Sequence, residues 1–148
     1  MGGDDDDGTA AAIGRPQYEA LAGFRHAMRA FLAFSEHAAR EAGVTPQQHQ
    51  ALLAIKGFPG RERASVGELA DRLLIRHHSA VELVDRLCEA GLARREGQAG
   101  DRRRVMVVLT ERAERLLRQL SAAHWEELRR MRPALAALVG SLEGTPPE

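Results

Sequence analysis

The segment from Ser65 to Gly91 restricts the fold more than any other part of the chain. Ser65-Val66-Gly67-Glu68 has the form of a capping box, in which a hydroxyl and a carboxylate three residues on satisfy each other's backbone N–H groups, so a helix opens there. Its inward residues would be Val66, Leu69, Ala70 and Leu73. After a connection of three or four residues, a second helix from about Arg76 to Ala90 places Ala80, Leu83, Val84 and Leu87 at i, i+3, i+4 and i+7, a single apolar stripe. Gly91 stands where helices favour a glycine stop. Two short helices joined so briefly must cross steeply, which is the helix-turn-helix arrangement.

Beyond Gly91 the period changes. Leu92 to Glu96 and Arg104 to Leu109 read as strands, the second rich in β-branched residues, joined by a Gly97-Gln98-Ala99-Gly100-Asp101 turn. Between Arg94 and Arg104 five arginines face two acids, so this hairpin has a cationic tip. Helices flank the unit. Gln17 to Ala42 carries Leu21, Phe24, Met28, Phe31, Leu32 and Phe34 mainly at three- and four-residue steps. Thr45-Pro46-Gln47-Gln48 opens another helix, with Leu52, Leu53 and Ile55, that ends near Gly57-Phe58-Pro59-Gly60. Thr110 caps a helix from Glu111, with Leu116, Leu117, Leu120, Trp125, Leu128 and Met131 as expected apolar contacts; Pro133 breaks or kinks it before Ala134 to Leu142. The expected fold is mostly α with a small β-hairpin (α+β): a winged helix-turn-helix domain plus a region built from the N- and C-terminal helices.

The 148 residues suffice for one domain with its own core, and the single Cys88 excludes an internal disulfide framework. No apolar run approaches the ~20 residues of a membrane span, and the acidic start is unlike a signal or transit peptide, so a cytoplasmic protein without membrane partners is expected. Basic and acidic residues balance at 21 each. Four of the acids, Asp4 to Asp7, sit in a stretch without apolar periodicity, and without them 21 bases face 17 acids. Neutrality therefore does not exclude a nucleic-acid partner. Adjacent His77 and His78 point about 100° apart and do not share one ion as an i, i+4 pair would. With no glycine-rich phosphate loop, H-E-x-x-H or nucleophile elbow, no metal, cofactor or enzymatic activity is expected.

A helix fits the major groove of DNA, and a hairpin beside it can send arginines into the minor groove, where the potential is strongly negative. With Ala80, Leu83 and Leu87 buried, the outward face of the second helix shows His77, His78, Val81, Glu82 and Asp85. Val81 suits a thymine methyl, Glu82 suits cytosine N4, and the histidines suit phosphate or guanine. Attraction to the phosphate backbone would come from Arg76, Arg86 and the hairpin. For Glu82 and Asp85 a charge pair along the helix face, with Arg86, is an equal alternative.

Taken together, Ser65-Val66-Gly67-Glu68-Leu69-Ala70, Leu83-Val84-Asp85-Arg86-Leu87, Gly91-Leu92, Asp101-Arg102-Arg103 and Val108-Leu109-Thr110 resemble the signature of the MarR family of bacterial transcriptional regulators, over about Gln17 to Leu142. The resemblance implies a homodimer on a pseudo-palindromic operator in double-stranded DNA. Residues 15–44 and 111–143 would form the dimerisation region and 45–110 the DNA-binding domain, between disordered tails at 1–14 and 144–148. It implies that Asp101 orients Arg103 into the minor groove, with Arg102 and Arg104 beside it, and that DNA contacts come from Ser65, Arg76, His77, His78, Ser79, Val81, Glu82 and Arg86. It further implies a repressor relieved by a small aromatic or phenolic effector, for which Phe34, His37, His49 and Trp125 are candidate lining residues; plain helix packing is the alternative for these four. Relatives commonly carry a small hydroxyl and a base where this chain has Val81 and Glu82, and often glycine where it has Leu74. Two other readings stay open: a winged-helix protein-interaction module without DNA binding, and a redox sensor using Cys88, which otherwise serves as a small buried hydrophobe.

Overall fold

The computed structural model describes residues 13–98 and 101–144, with Gln98 and residues 101–104 described by their backbone alone. Residues 1–12 and 145–148 of the expected tails, and the side chains of Asp101, Arg102, Arg103 and Arg104, lie outside the described residues. In chain order the elements are α1 (Arg15–Glu41), α2 (Pro46–Lys56), β1 (Ala64–Ser65), α3 (Val66–Leu73), α4 (His77–Glu89), β2 (Ala93–Gln98), β3 (Asp101–Leu109), α5 (Glu111–Arg130) and α6 (Arg132–Glu143). This is the expected mostly helical fold with a small antiparallel sheet.

The strands depart from expectation in two ways. β2 and β3 extend to Gln98 and Asp101, which pair with each other across an irregularity at Gly97/Gln98, so three of the five residues expected in the turn belong to strands, and residues 99–100 lie outside the described residues. A third strand, β1, pairs with β3 through Ala64↔Val107 and Ser65↔Met106, giving the order β1-β3-β2. Two residues carry no readable period, which is why the sequence pattern does not reveal β1.

Both capping boxes form. Thr45 Oγ1 accepts from the Gln48 N–H at 3.0 Å while Gln48 Oε1 accepts from the Thr45 N–H at 3.0 Å. Ser65 and Glu68 repeat the arrangement at 3.1 and 3.0 Å. Three helices also end alike. After α1, α3 and α4 a residue in the left-handed region lets the next N–H reach back, as Val44 to Ala39 O, Ile75 to Ala70 O and Leu92 to Leu87 O. Gly43 and Gly91 take that position at φ 84° and 70°, but after α3 it is Leu74, at φ 55°.

The chain divides into two compact units. Residues Phe34–Trp125 form one, whose core includes Leu52, Ile55, Leu69, Val84, Leu87, Leu92 and Val107, all essentially inaccessible. Each such side chain contributes about 1.5–3 kcal/mol relative to exposure. Lys56, the only lysine, joins Glu62 at 2.9 Å to Glu114 at 3.0 Å, and these hydrogen bonds raise its pKa. The other unit contains the residues up to Ala33 and from Glu126 onward. Among its described residues only Ala27 is buried, while Ile13, Tyr18, Leu21, Leu32, Val139 and Leu142 are exposed. A cleft of about 530 Å³ lies among Ile13, Pro16, Ala20, Leu21, Leu138 and Leu142 within this unit.

Candidate nucleic-acid interface

Helix α4 is two-faced. Ala80, Leu83, Val84 and Leu87 are buried, and helical spacing puts His78, Glu82, Asp85 and Glu89 in an exposed row opposite them. His77 and Arg86 are exposed at the flanks of that row, whereas Ser79 and Val81 are half-buried. The N-terminus of α4 differs from that of α3. Ser65 and Glu68 close the first turn of α3, and the second oxygen of Glu68 accepts from Arg61. Arg76, at the N-cap of α4, makes no side-chain cap, and no acid lies in the first turn. The first N–H groups of α4 thus lack intrahelical partners, and the partial positive charge there is flanked by Arg76, His77 and His78. Such an end accepts a phosphate.

The hairpin brings part of its own neutralisation. On β2, Arg94 pairs with Glu96 at 3.0 Å. Arg95 projects the other way, its Nη2 donating to Asp85 Oδ1 of α4 at 2.5 Å and its Nη1 lying 3.6 Å from the Cys88 sulfur. Asp85 therefore finds its partner on the neighbouring strand, not in Arg86 on its own helix as the helix-face alternative supposed. Two of the five hairpin arginines are thereby paired inside the domain; the backbone places the other three, Arg102, Arg103 and Arg104, at the start of β3. Cys88 is half-buried and packs against the core.

The far end of α4 is fixed by residues that the sequence reading did not single out for this purpose. Thr110 Oγ1 donates to Gly91 O at 2.7 Å and accepts from the Ala113 N–H at 3.2 Å, so one hydroxyl closes α4 and caps α5. Arg112 donates to Ala90 O at 2.5 Å.

The four candidate effector residues separate into two pairs. His37 is exposed, 3.3 Å from Glu41, and Trp125 is 62% exposed. His49 is 1% exposed, and Phe34 is half-buried. His124, absent from the expected apolar contacts, joins them: its ring centroid is 4.8 Å from that of His49 and 5.3 Å from that of Phe34. It takes the inward position expected of Trp125 because it continues the Ala113, Leu117, Leu120 stripe at a four-residue step. His124 Nε2 lies 2.8 Å from the hydroxyl of buried Ser35 and its Nδ1 lies 2.6 Å from Leu120 O. His49 Nδ1 is buried without a hydrogen-bond partner. Burial pushes the His49 imidazole below its usual value, and repulsion from His124 pushes the same way.

Among the described residues no three His, Cys, Asp or Glu side chains gather as a metal site would need, and no helix is long and apolar enough to cross a membrane.

Comparison with known proteins places this geometry. Residues 42–104 match the model of the MarR family. No curated protein sequence matches the chain. Among solved structures, AbsC, a MarR family transcriptional regulator from Streptomyces coelicolor, is similar over 80% of each chain at 23% identity and a TM-score of 0.65. RV1404 from Mycobacterium tuberculosis is similar over 90% of this chain and 97% of its own, at 21% identity and a TM-score of 0.71. NadR, solved in complex with 4-hydroxyphenylacetate, is similar over 86% and 85%, at 21% identity and a TM-score of 0.65. Likeness at these identities establishes a shared fold.

Proposed function

We propose that the chain, whose residues 42–104 match the model of the MarR family, is a member of that family, whose members are DNA-binding transcriptional regulators and not enzymes. On that premise the protein is a homodimeric, cytoplasmic repressor of a pseudo-palindromic operator. The observation that carries the reading is α4, buried along one row, exposed along the other, and beginning with an uncapped turn flanked by Arg76, His77 and His78. Residues 45–110 bind DNA. Ser79, Val81, Glu82 and Arg86 face the major groove with the histidines, Ser65 adds a DNA contact at the start of α3, and Asp101 orients Arg103 into the minor groove beside Arg102 and Arg104. Residues 15–44 and 111–143 form the dimer, a reading supported by the exposed Leu21, Val139 and Leu142.

A small aromatic effector relieves repression at the Phe34 and His49 cluster, with the exposed His37 and Trp125 as further candidate contacts. The buried, unpartnered His49 Nδ1 supports this role, because such an atom gains from a ligand hydroxyl or carboxylate. The complex of NadR with 4-hydroxyphenylacetate supports the ligand class. The rival reading, an interaction module without DNA binding, drew on the acids Glu82 and Asp85, and Asp85 is engaged by Arg95.

A duplex selected by the protein from random palindromic DNA tests the function. Binding should weaken steeply with salt, with a log–log slope of about −0.9 per phosphate neutralised. Arg103→Ala should cost about 1–3 kcal/mol per contact without lowering the melting temperature. A protein that selects no duplex, or whose binding ignores salt, is not this regulator.

A further inference from the structure

We propose that Arg95 and Asp85 form a clamp that sets the direction of the hairpin relative to α4, making Arg95 a positioning residue for the contact of Arg103 with DNA. The inference rests on the DNA-binding reading above and adds a residue to it that touches no DNA.

The geometry carries it. Arg95 lies midway along β2, opposite Val107 of β3, a fully buried residue of the middle strand. A force on Arg95 is thus transmitted to the strand that leads back to Arg103. Asp85 lies in the third turn of α4, flanked by buried Val84 and with buried Leu87 two residues on. The pair thus joins two elements that are each anchored in the same core. Beyond it the hairpin extends toward its tip, so a small rotation at Arg95 becomes a larger displacement at Arg103. The second guanidinium nitrogen, 3.6 Å from the Cys88 sulfur, adds another contact across the same gap. Two contacts from a planar group fix orientation as well as distance.

The pair is not there for stability. Its side chains are 37% and 52% exposed, and exposed pairs contribute little to folding. Nor does a single substitution isolate its role, because Asp85→Asn also removes a negative charge from the face that meets phosphate, which strengthens binding while the lost alignment weakens it. The informative quantity is the dependence of affinity on Arg103.

The experiment is a double-mutant cycle on the full-length protein, with the selected palindromic duplex at one fixed salt concentration. Arg103→Ala should weaken binding about tenfold or more in the native background, but about threefold or less in Asp85→Asn, because an unclamped hairpin no longer delivers the side chain. Exchanging the charges, Asp85→Arg with Arg95→Asp, should restore the larger dependence at an unchanged melting temperature. Equal losses in the native and Asp85→Asn backgrounds overturn the clamp and leave the DNA-binding reading standing, as does an exchange variant that stays insensitive to Arg103. If Arg103→Ala changes nothing in the native background, its assigned role falls and the clamp with it.

Discussion

The unit Phe34–Trp125 and the unit formed by the chain's two ends have similar apolar fractions in their sequences and use them to opposite effect. The first encloses most of its leucines: Leu52, Leu69, Leu87 and Leu92 are at most 1% exposed. The second, among its described residues, leaves Leu21 57% and Leu142 76% exposed and buries only Ala27. Helix α6 has no buried residue, although most of its side chains are apolar. Large apolar surface left uncovered on one part of a fold marks an interaction face. The winged unit thus carries its own stability, whereas the terminal helices require a partner surface, which the proposed second copy supplies.

The largest expected effects separate the two units directly. Joint Leu21→Asp and Leu142→Asp substitution should weaken self-association by about 100-fold or more, since each dimer loses four apolar contacts to charge. Sedimentation equilibrium at micromolar concentration would then show monomers with native helix content. By contrast, Leu87→Ala should leave association intact and cost about 2–5 kcal/mol in urea unfolding, the penalty for a cavity in an enclosed core. If the aspartates leave the protein dimeric, the exposed leucines are not the interface and the contrast loses its meaning.

Sequence and structure agree best where a pattern repeats along one element. The helix pair α3 and α4 was legible because a capping box marks its start and the stripe Ala80, Leu83, Val84, Leu87 fixes its inward row. His124 was equally legible in principle, four residues beyond Leu120, but an apolar count favours Trp125. β1 was not legible, since two residues have no period and gain strand geometry only from β3. The Arg95–Asp85 pair was hidden for another reason. It spans a helix end and the start of a strand, so no helical or strand spacing brings the two residues together. Within the interface, the row on α4 could be read from spacing, while the neutralisation of the hairpin stem could not.

A smaller effect should distinguish the units through pH. His49 lies in the enclosed unit with its pKa depressed below 6.5, first by burial and then by His124. The unfolded chain protonates an ordinary imidazole near 6.5, while folded His49 resists, so the unfolded state binds more protons as pH falls. Stability should therefore be complete above that value and decline on acidification until the depressed folded pKa is passed. For this one group the slope cannot exceed about 1.4 kcal/mol per pH unit. Urea midpoints of wild type and His49→Leu between pH 7.5 and 5 should diverge in slope, the variant being flatter. Parallel curves would mean that burial of the ring is not felt as a proton-binding difference.

The smallest effect is expected at Leu74, where even the self-sufficient unit departs from the favoured choice. α1, α3 and α4 close with the same reach-back hydrogen bond, and only after α3 does a side chain with a Cβ occupy the left-handed position. That conformation costs an L-residue about 1–2 kcal/mol. Leu74 recovers little through burial, because it is 91% exposed. Glycine removes the strain but loses more backbone freedom on folding, by about 0.5–1 kcal/mol. The strain is the larger of the two, so Leu74→Gly should stabilise by about 0.5–1 kcal/mol, or roughly 1.5–3 °C in melting temperature for a chain of this size. The reverse change, Gly43→Leu, meets the same strain at a site with open space around it and should destabilise by a similar amount. Opposite signs at two equivalent closures would assign the effect to backbone geometry; equal signs would assign it to whatever the Leu74 side chain meets between α3 and α4.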